Sequence, residues 1–299
     1  MEKISLPGSH TDLSRLVMGL WRLTDWNMEP HARLRFTEEV LELGITSFDL
    51  ADIYGDYQCE ATFGHVLKQA PALREKIQLV SKCDIKLVGS GRPHRLNHYD
   101  TSAAHIEYSV ENSLRALNTD YLDLLLLHRP DPLMNADETA EILDRLVASG
   151  KVRAIGVSNF LPHQADLLAS RLESPLAANQ IEASVLHTQP LFDGQLDHCQ
   201  QHQIVPMGWS PFGGGRLFTG VGEQEQRVRD CLDSIAREYD ASPSQIALAW
   251  LLRHPAKILP IVGSGQISRV REAVGALNFE LEREHWFEIL KASRGRDVD

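Results

Sequence analysis

The chain has 299 residues, of which 43% are hydrophobic and 24% charged, and carries a formal net charge of -11. That length admits one large domain or two ordinary ones, and the composition is that of a globular protein rather than a disordered or fibrous one. The negative balance argues against nucleic-acid binding, which needs a basic face against the phosphate backbone.

Cys59, Cys83, Cys199 and Cys231 are widely spaced with no Cys-x-x-Cys pair, which reads as a reducing compartment rather than a disulfide scaffold or zinc knuckle. The opening MEKISLPGSH lacks the apolar core of a signal peptide. The densest apolar run, YLDLLLLH at 121–128, falls well short of the roughly 20 residues that span a bilayer. A soluble, cytoplasmic protein without membrane partners is expected.

Along the chain, a hairpin is predicted around Leu6-Pro7-Gly8. Short apolar runs then alternate with amphipathic stretches almost to the end. Strands are expected at 16–21, 45–51, 77–83, 121–128, 154–159, 177–183, 204–210 and 258–264. Helices are expected at 31–43, 59–70, 101–117, 136–149, 163–171, 194–202, 244–253 and 266–275, with extra ones at 223–239 and 282–293. In 101–117, Ile106, Val110, Ser113, Leu114 and Leu117 share one face, and Thr101 is a candidate N-cap. Pro162 suits a first helical turn, and Gly150 suits a left-handed C-terminal cap. Eight strands alternating with eight helices, without a linker, predict one closed parallel (β/α)8 TIM barrel over 1–299. A doubly wound open sheet is the alternative, but MGLWRLTDW carries no G-x-G-x-x-G.

In such a barrel, chemistry gathers at the C-terminal strand ends. Polar residues recur there: Asp49 and then Tyr54 after strand two, Lys82 at strand three, His128 at strand four, Ser158-Asn159 at strand five, Gln180 and Glu182 on strand six. Alternation puts Phe48 and Leu50 on one face of strand two and Asp49 on the other, towards the barrel mouth. His128 shares the parity of Leu122, Leu124 and Leu126. Each has a plainer reading: Asp49 as a turn residue, Lys82 as a surface charge, His128 as a structural imidazole. What favours a site is that the groups needed for one reaction end three neighbouring strands.

Tyrosine is a weak acid, with an ordinary pKa of about 10, and a nearby ammonium favours its phenolate. A buried Lys82 needs a carboxylate such as Asp49 to stay charged. Asp49, Lys82 and Tyr54 therefore make a relay that holds a phenol near neutral pH, able to give a proton to a developing alkoxide, while His128 orients the carbonyl. With no metal cage and no activated nucleophile, this protonates an oxygen while a nicotinamide supplies hydride to the carbon.

Here the chain resembles the aldo-keto reductases, in the branch of bacterial NADP-dependent oxidoreductases. The resemblance runs nearly the full length through FDLADIYG, SKC, LLLLHRPDP, GKVRAIGVSNF and the NQIE strand. It implies Tyr54 as general acid/base, Asp49 and Lys82 as its tuners, and His128 as the residue that positions substrate. It further implies that Ser158, Asn159 and Gln180 hold the nicotinamide carboxamide, with Gly19 at the same end of strand one. In GWSPFGGGRLF, Trp209 stands where the family places a stacking tyrosine, so Trp209 would supply the aromatic plane and Ser210, Pro211, Phe212, Gly213 and Gly215 the backbone contacts to phosphate. A core role for Trp209 is the alternative. IVGSGQISRVREAV is similar to the family's adenosine 2′-phosphate clamp through Ser264 and Arg269. Gly263 and Ala273 stand where many members have lysine and asparagine, so the resemblance implies NADP(H), with NAD(H) second. Arg269 and Arg271 as ordinary solvated charges is the plainer reading.

Three other readings compete. His198 and His202, four apart in DHCQQHQ, could hold a metal in a hydrolase, but they fall on an outer helix without His-Glu-x-x-His and are read as surface residues; no metal is expected. Lys82 could form a Schiff base, which leaves Ser158, Gln180 and Arg269 unexplained. The chain could also be a cofactor-binding regulatory subunit with vestigial reductase activity. The substrate is expected to be a small carbonyl compound, with specificity in the loops at Trp21 to Trp26, in the 85–100 insert with Gly89, Gly91 and Pro93, and at 129–135. Trp21, Trp26 and Tyr57 are candidate pocket walls that lean towards an apolar or aromatic carbonyl. Asp52 and Asp56 read as loop or cap residues. Neither the oligomeric state nor the direction of reaction is legible.

Overall fold

The computed structural model describes residues 1–89 and 92–298; Gly91 of the insert lies outside the described residues. The predicted hairpin is present as β1 (Lys3–Ser5) paired antiparallel with β2 (Asp12–Ser14). The chain then runs β3 (Val17–Gly19), α1 (Pro30–Glu42), β4 (Ser47–Asp49), a short helical turn α2 (Tyr54–Tyr57), α3 (Cys59–Gln69) and β5 (Gln78–Cys83). A two-residue ribbon, β6 (Ile85–Lys86) with β7 (His98–Tyr99), precedes α4 (Ala103–Leu117), β8 (Leu124–Leu127), α5 (Ala136–Ala148), β9 (Ile155–Ser158), α6 (Pro162–Ala169) and β10 (Leu176–Glu182). The remainder is α7 (Gln195–His202), β11 (Val205–Trp209), α8 (Arg216–Thr219), α9 (Glu223–Glu238), α10 (Pro243–Leu252), β12 (Leu259–Val262), α11 (Ile267–Gly275) and α12 (Arg283–Arg294).

Eight of these strands close into a barrel in the order β10-β11-β12-β3-β4-β5-β8-β9, every neighbouring pair parallel. The expected TIM barrel is the fold. Alternation builds it. Val17, Val80, Leu124, Leu126, Met207 and Leu259 fill the interior, while Phe48, Leu50, Leu125 and Leu127 face outward into the helical layer. Ile4, Leu6 and Leu13 join the interior cluster, so the hairpin closes one end of the barrel. It is fastened at the start of β4, where the Ser14 hydroxyl accepts from Thr46 N and Ser47 N, both at 3.1 Å. The polar residues are thereby left to the opposite end.

Helix termini follow local chemistry. Pro162 opens α6, and Gly150 lies at φ 75° just beyond α5. The cap of α4 is one residue later than expected: Ser102, not Thr101, accepts from His105 N at 3.4 Å. Thr101 is engaged elsewhere, donating its hydroxyl to Asp131 at 3.0 Å. Apart from β10, the barrel strands are also shorter than expected, because the flanking residues turn into loops at the barrel rims. All four cysteines are free, and among the described residues no helix is long and apolar enough to cross a membrane.

Candidate active site

Register brings the strand ends level: Gly19 pairs with Asp49, and Asp49 with Val80. From there Lys82 reaches across. Its Nζ donates to Asp49 Oδ1 and Oδ2 at 2.8 and 2.9 Å, to Leu50 O at 2.6 Å and to the Tyr54 hydroxyl at 3.1 Å. The Lys82 side chain is fully buried and that of Asp49 nearly so. An ammonium withdrawn from water is tolerable only with such a complete set of acceptors. Burial works against its charge, but Asp49 and then Tyr54 more than offset this, and its pKa lies above the ordinary lysine value. Gln180 Nε2 adds a further link, donating to Asp49 Oδ1 at 2.7 Å from β10.

Tyr54 is aimed by the turn that follows it. Gly55, Asp56 and Tyr57 all have positive φ, at 58°, 54° and 67°. A Cβ at Gly55 would also stand 2.7 Å from both Cys59 Sγ and Thr24 Oγ1, so this turn requires glycine on two counts. Its hydroxyl behaves otherwise than predicted. Burial raises the pKa above the ordinary tyrosine value, and Lys82 offsets only part of that rise. The phenol is not held near neutral pH; it stays protonated there, which suits it to giving a proton rather than taking one.

His128 follows β8, its ring edge-on to Tyr54 with centroids 5.7 Å apart. Burial, then the charges of Lys82 and Arg129, hold its pKa well below the usual histidine range, so the imidazole is neutral. Its buried Nδ1 has no hydrogen-bond partner among the described residues. A neutral imidazole beside a protonated phenol and an ammonium can polarise and protonate a carbonyl oxygen.

Along the rim towards β9 and β11, the Ser158 hydroxyl donates to Gln180 O at 2.9 Å, and Asn159 Nδ2 to Ser158 Oγ at 2.8 Å. Asn159 itself has φ 61° and accepts from Trp209 Nε1 at 3.0 Å. The stretch after Trp209 turns sharply, with positive φ at Ser210, Gly213, Gly214 and Gly215; at Gly214 and Gly215 a Cβ would meet nothing within 4 Å. Backbone amides in such an open turn can approach a phosphate closely. Pro211 is buried there, and Phe212 packs on Phe218 at 5.4 Å. Across β3, the exposed Gly263 lies next to Gly19: a Cβ at 263 would stand 3.5 Å from Gly19 O. The Ser264 hydroxyl accepts from Gln266 N at 3.2 Å, and Arg269 is exposed in the first turn of α11. Donors, an aromatic ring, an open glycine turn and a guanidinium thus follow one another along the rim, a set that fits a phosphorylated nicotinamide cofactor.

The pocket residues diverge. Trp21 is exposed. Trp26 stands edge-on to Phe36 at 5.6 Å, and it occupies the space a side chain at Gly265 would need. The Tyr57 hydroxyl accepts from Leu87 N at 3.1 Å, tying the insert to the Tyr54 turn. Three features escaped the sequence reading. Asp52 lies in the turn after β4, as expected, but is buried and accepts from the Ser109 hydroxyl at 2.6 Å. Arg129 lies 5.7 Å over the Trp209 ring. His198 is buried against Asp166 rather than at the surface.

The chain is similar over its full length to the oxidoreductase YdhF of Escherichia coli, at 50% identity and covering 99% of that protein. It is 46% identical to a 6-dehydroglucose reductase of Agrobacterium fabrum, with both chains covered in full. The solved glycerol dehydrogenase AKR11B4 from Gluconobacter oxydans superposes with a TM-score of 0.86 over 99% of this chain and 97% of that one, at 25% identity. The model of the Aldo/keto reductase family matches residues 15–294, and the chain belongs to that family of oxidoreductases.

Proposed function

We propose that the chain is an NADP(H)-dependent oxidoreductase that reduces an aldehyde or ketone to the alcohol. One observation carries the reading: the buried Lys82 ammonium is shared between the Asp49 carboxylate and the Tyr54 hydroxyl. Bound NADPH supplies the hydride for the carbonyl carbon. Tyr54 gives the proton to the carbonyl oxygen, and Lys82 stabilises the phenolate left behind. Asp49 keeps Lys82 charged and in place, while His128, neutral and with its Nδ1 unpartnered among the described residues, orients the oxygen.

Ser158, Asn159 and Gln180 would hold the carboxamide of the cofactor, Trp209 its nicotinamide ring, the Ser210-to-Gly215 turn its pyrophosphate, and Ser264 with Arg269 its 2′-phosphate. The similarity to a 6-dehydroglucose reductase supports a hydroxylated carbonyl as substrate.

The test is to follow cofactor absorbance with NADPH or NADH against a panel of sugar aldehydes, aromatic aldehydes, ketones and quinones. NADPH oxidation with at least one class is expected. A strong preference for NADH would overturn the cofactor assignment. Tight NADPH binding with no turnover of any carbonyl would favour a regulatory subunit instead.

A further inference from the structure

In the outer layer, α6 and α7 meet through the side chains of Asp166, His198 and His202. His198 and His202 are one turn apart on α7 and so share a face, with ring centroids 4.5 Å apart. Both direct Nε2 at the same atom, Asp166 Oδ1 on α6, at 2.8 and 3.9 Å. The three ligand atoms lie within 4.8 Å of one another.

We propose that Asp166, His198 and His202 form a divalent transition-metal site that clamps α6 to α7. Three features separate this from a simple histidine–aspartate hydrogen bond. The first is convergence: one imidazole suffices to satisfy Asp166, yet two aim at one oxygen. The second is spacing. Bonds of about 2.0–2.1 Å in a tetrahedral site put ligand atoms roughly 3.3 Å apart. The observed 2.8 and 3.9 Å bracket that value, and all three ligand atoms lie within 4.8 Å of one another. The third is rigidity on one side and access on the other. His198 is 7% exposed, and one turn earlier Gln195 Nε2 donates to Phe160 O at 2.9 Å, anchoring the start of α7. His202 and Asp166 are 45% and 57% exposed, so an ion can enter and water can complete its coordination.

The donor set selects the metal. Two imidazoles and one carboxylate suit Zn2+, Ni2+ or Cu2+, whereas Ca2+ and Mg2+ need all-oxygen surroundings. Because α6 follows β9 and α7 follows β10, the clamp would join the outer supports of the strands that carry Ser158 and Gln180. Its role is structural: a ligand bound only by the folded chain stabilises it.

The experiment uses untagged full-length protein stripped with chelator and titrated calorimetrically with ZnCl2 and NiCl2. One equivalent per chain is expected at micromolar affinity, with no comparable uptake of CaCl2 or MgCl2. His202→Ala and Asp166→Asn, both at exposed positions that spare folding, should each weaken binding tenfold or more. His98→Ala, in the other histidine pair (His94–His98, centroids 5.1 Å apart), should leave it unchanged. Cu2+ bound to the wild type should show hyperfine coupling to two nitrogens, reduced to one in His202→Ala. Absence of saturable binding, or binding unaffected by His202→Ala and Asp166→Asn, would overturn the site.

Discussion

The Lys82 ammonium touches both carboxylate oxygens of Asp49, at 2.8 and 2.9 Å, inside a barrel mouth that water scarcely reaches. The pair spans adjacent strands, β5 and β4, and Gln180 ties the same carboxylate to β10 on the other side. One ion pair therefore belongs to the frame of the barrel and to the chemistry proposed at Tyr54.

Separating those two duties is the first prediction. Tyr54→Phe keeps the ring and the ion pair and removes only the hydroxyl, so carbonyl reduction should fall by about 10²–10⁴-fold with NADPH binding retained. Lys82→Met strands a buried carboxylate, and should lose activity and also about 3–5 kcal/mol of stability. Steady-state rates and urea midpoints of the two variants measure this. Full activity in Tyr54→Phe would remove the proton donor from the mechanism.

Arg269 tests cofactor choice. A guanidinium that grips the 2′-phosphate contributes about 1.5–3 kcal/mol through charge-assisted hydrogen bonds. Arg269→Ala should therefore weaken NADPH roughly ten- to a hundredfold and leave NADH unchanged. Fluorescence titration of both cofactors decides it. Equal losses for the two would mean that Arg269 supports the α11 turn rather than reading the phosphate.

Asp52 gives a prediction in pH. Burial pushes its carboxyl from 3.8 up to about 7, against the opposing pull of the Ser109 hydroxyl. Between those values the folded chain holds a proton that the unfolded chain has released. Stability must then fall as pH rises through that window, by at most about 1.4 kcal/mol per pH unit for this group, and level off above it. Glu60 and Asp84, also raised by burial, act with the same sign. Asp52→Asn, a mimic of the neutral acid, should show a smaller loss between pH 5 and pH 8 in denaturant midpoints. An unchanged slope would assign the effect to other groups.

Asp52 also marks the limit of what the sequence discloses. Alternation along FDLA and YLDLLLLH was enough to turn Asp49 inward and Phe48 outward, because period two is a property of the strand itself. The burial of Asp52 depends on Ser109, which stands 57 residues away on α4, and no local pattern announces it. His198 sits in the polar DHCQQHQ and is buried by its packing beside α6, again a tertiary fact. The strands β6 and β7 are two residues each, too short to show any periodicity. The acidity of Tyr54 is hidden for a related reason: spacing discloses the charge of Lys82 but not the burial that outweighs it.

Close packing behind the site yields the last prediction. At Gly64, on α3, a Cβ would stand 1.9 Å from Ala116 O and 3.0 Å from Leu117 Cα, so backbone meets backbone with nothing flexible to yield. The contact is fastened by Asn118 Nδ2, which donates to Gly64 O at 3.1 Å. Beside it, Phe63 packs on Phe48 at 5.3 Å, one residue before Asp49. Gly64→Ala must push α3 away from α4, which costs about 1–3 kcal/mol or more, and should lower activity by shifting the helix that follows the Tyr54 turn. Gly150→Ala is the control: it meets nothing within 4 Å, and only its φ of +75° is unfavourable, at about 1–2 kcal/mol. Gly64→Ala should therefore be the more destabilised of the two in urea, and the only one to lose turnover. Equal midpoints with turnover intact in both would mean that α3 and α4 can separate without disturbing Tyr54.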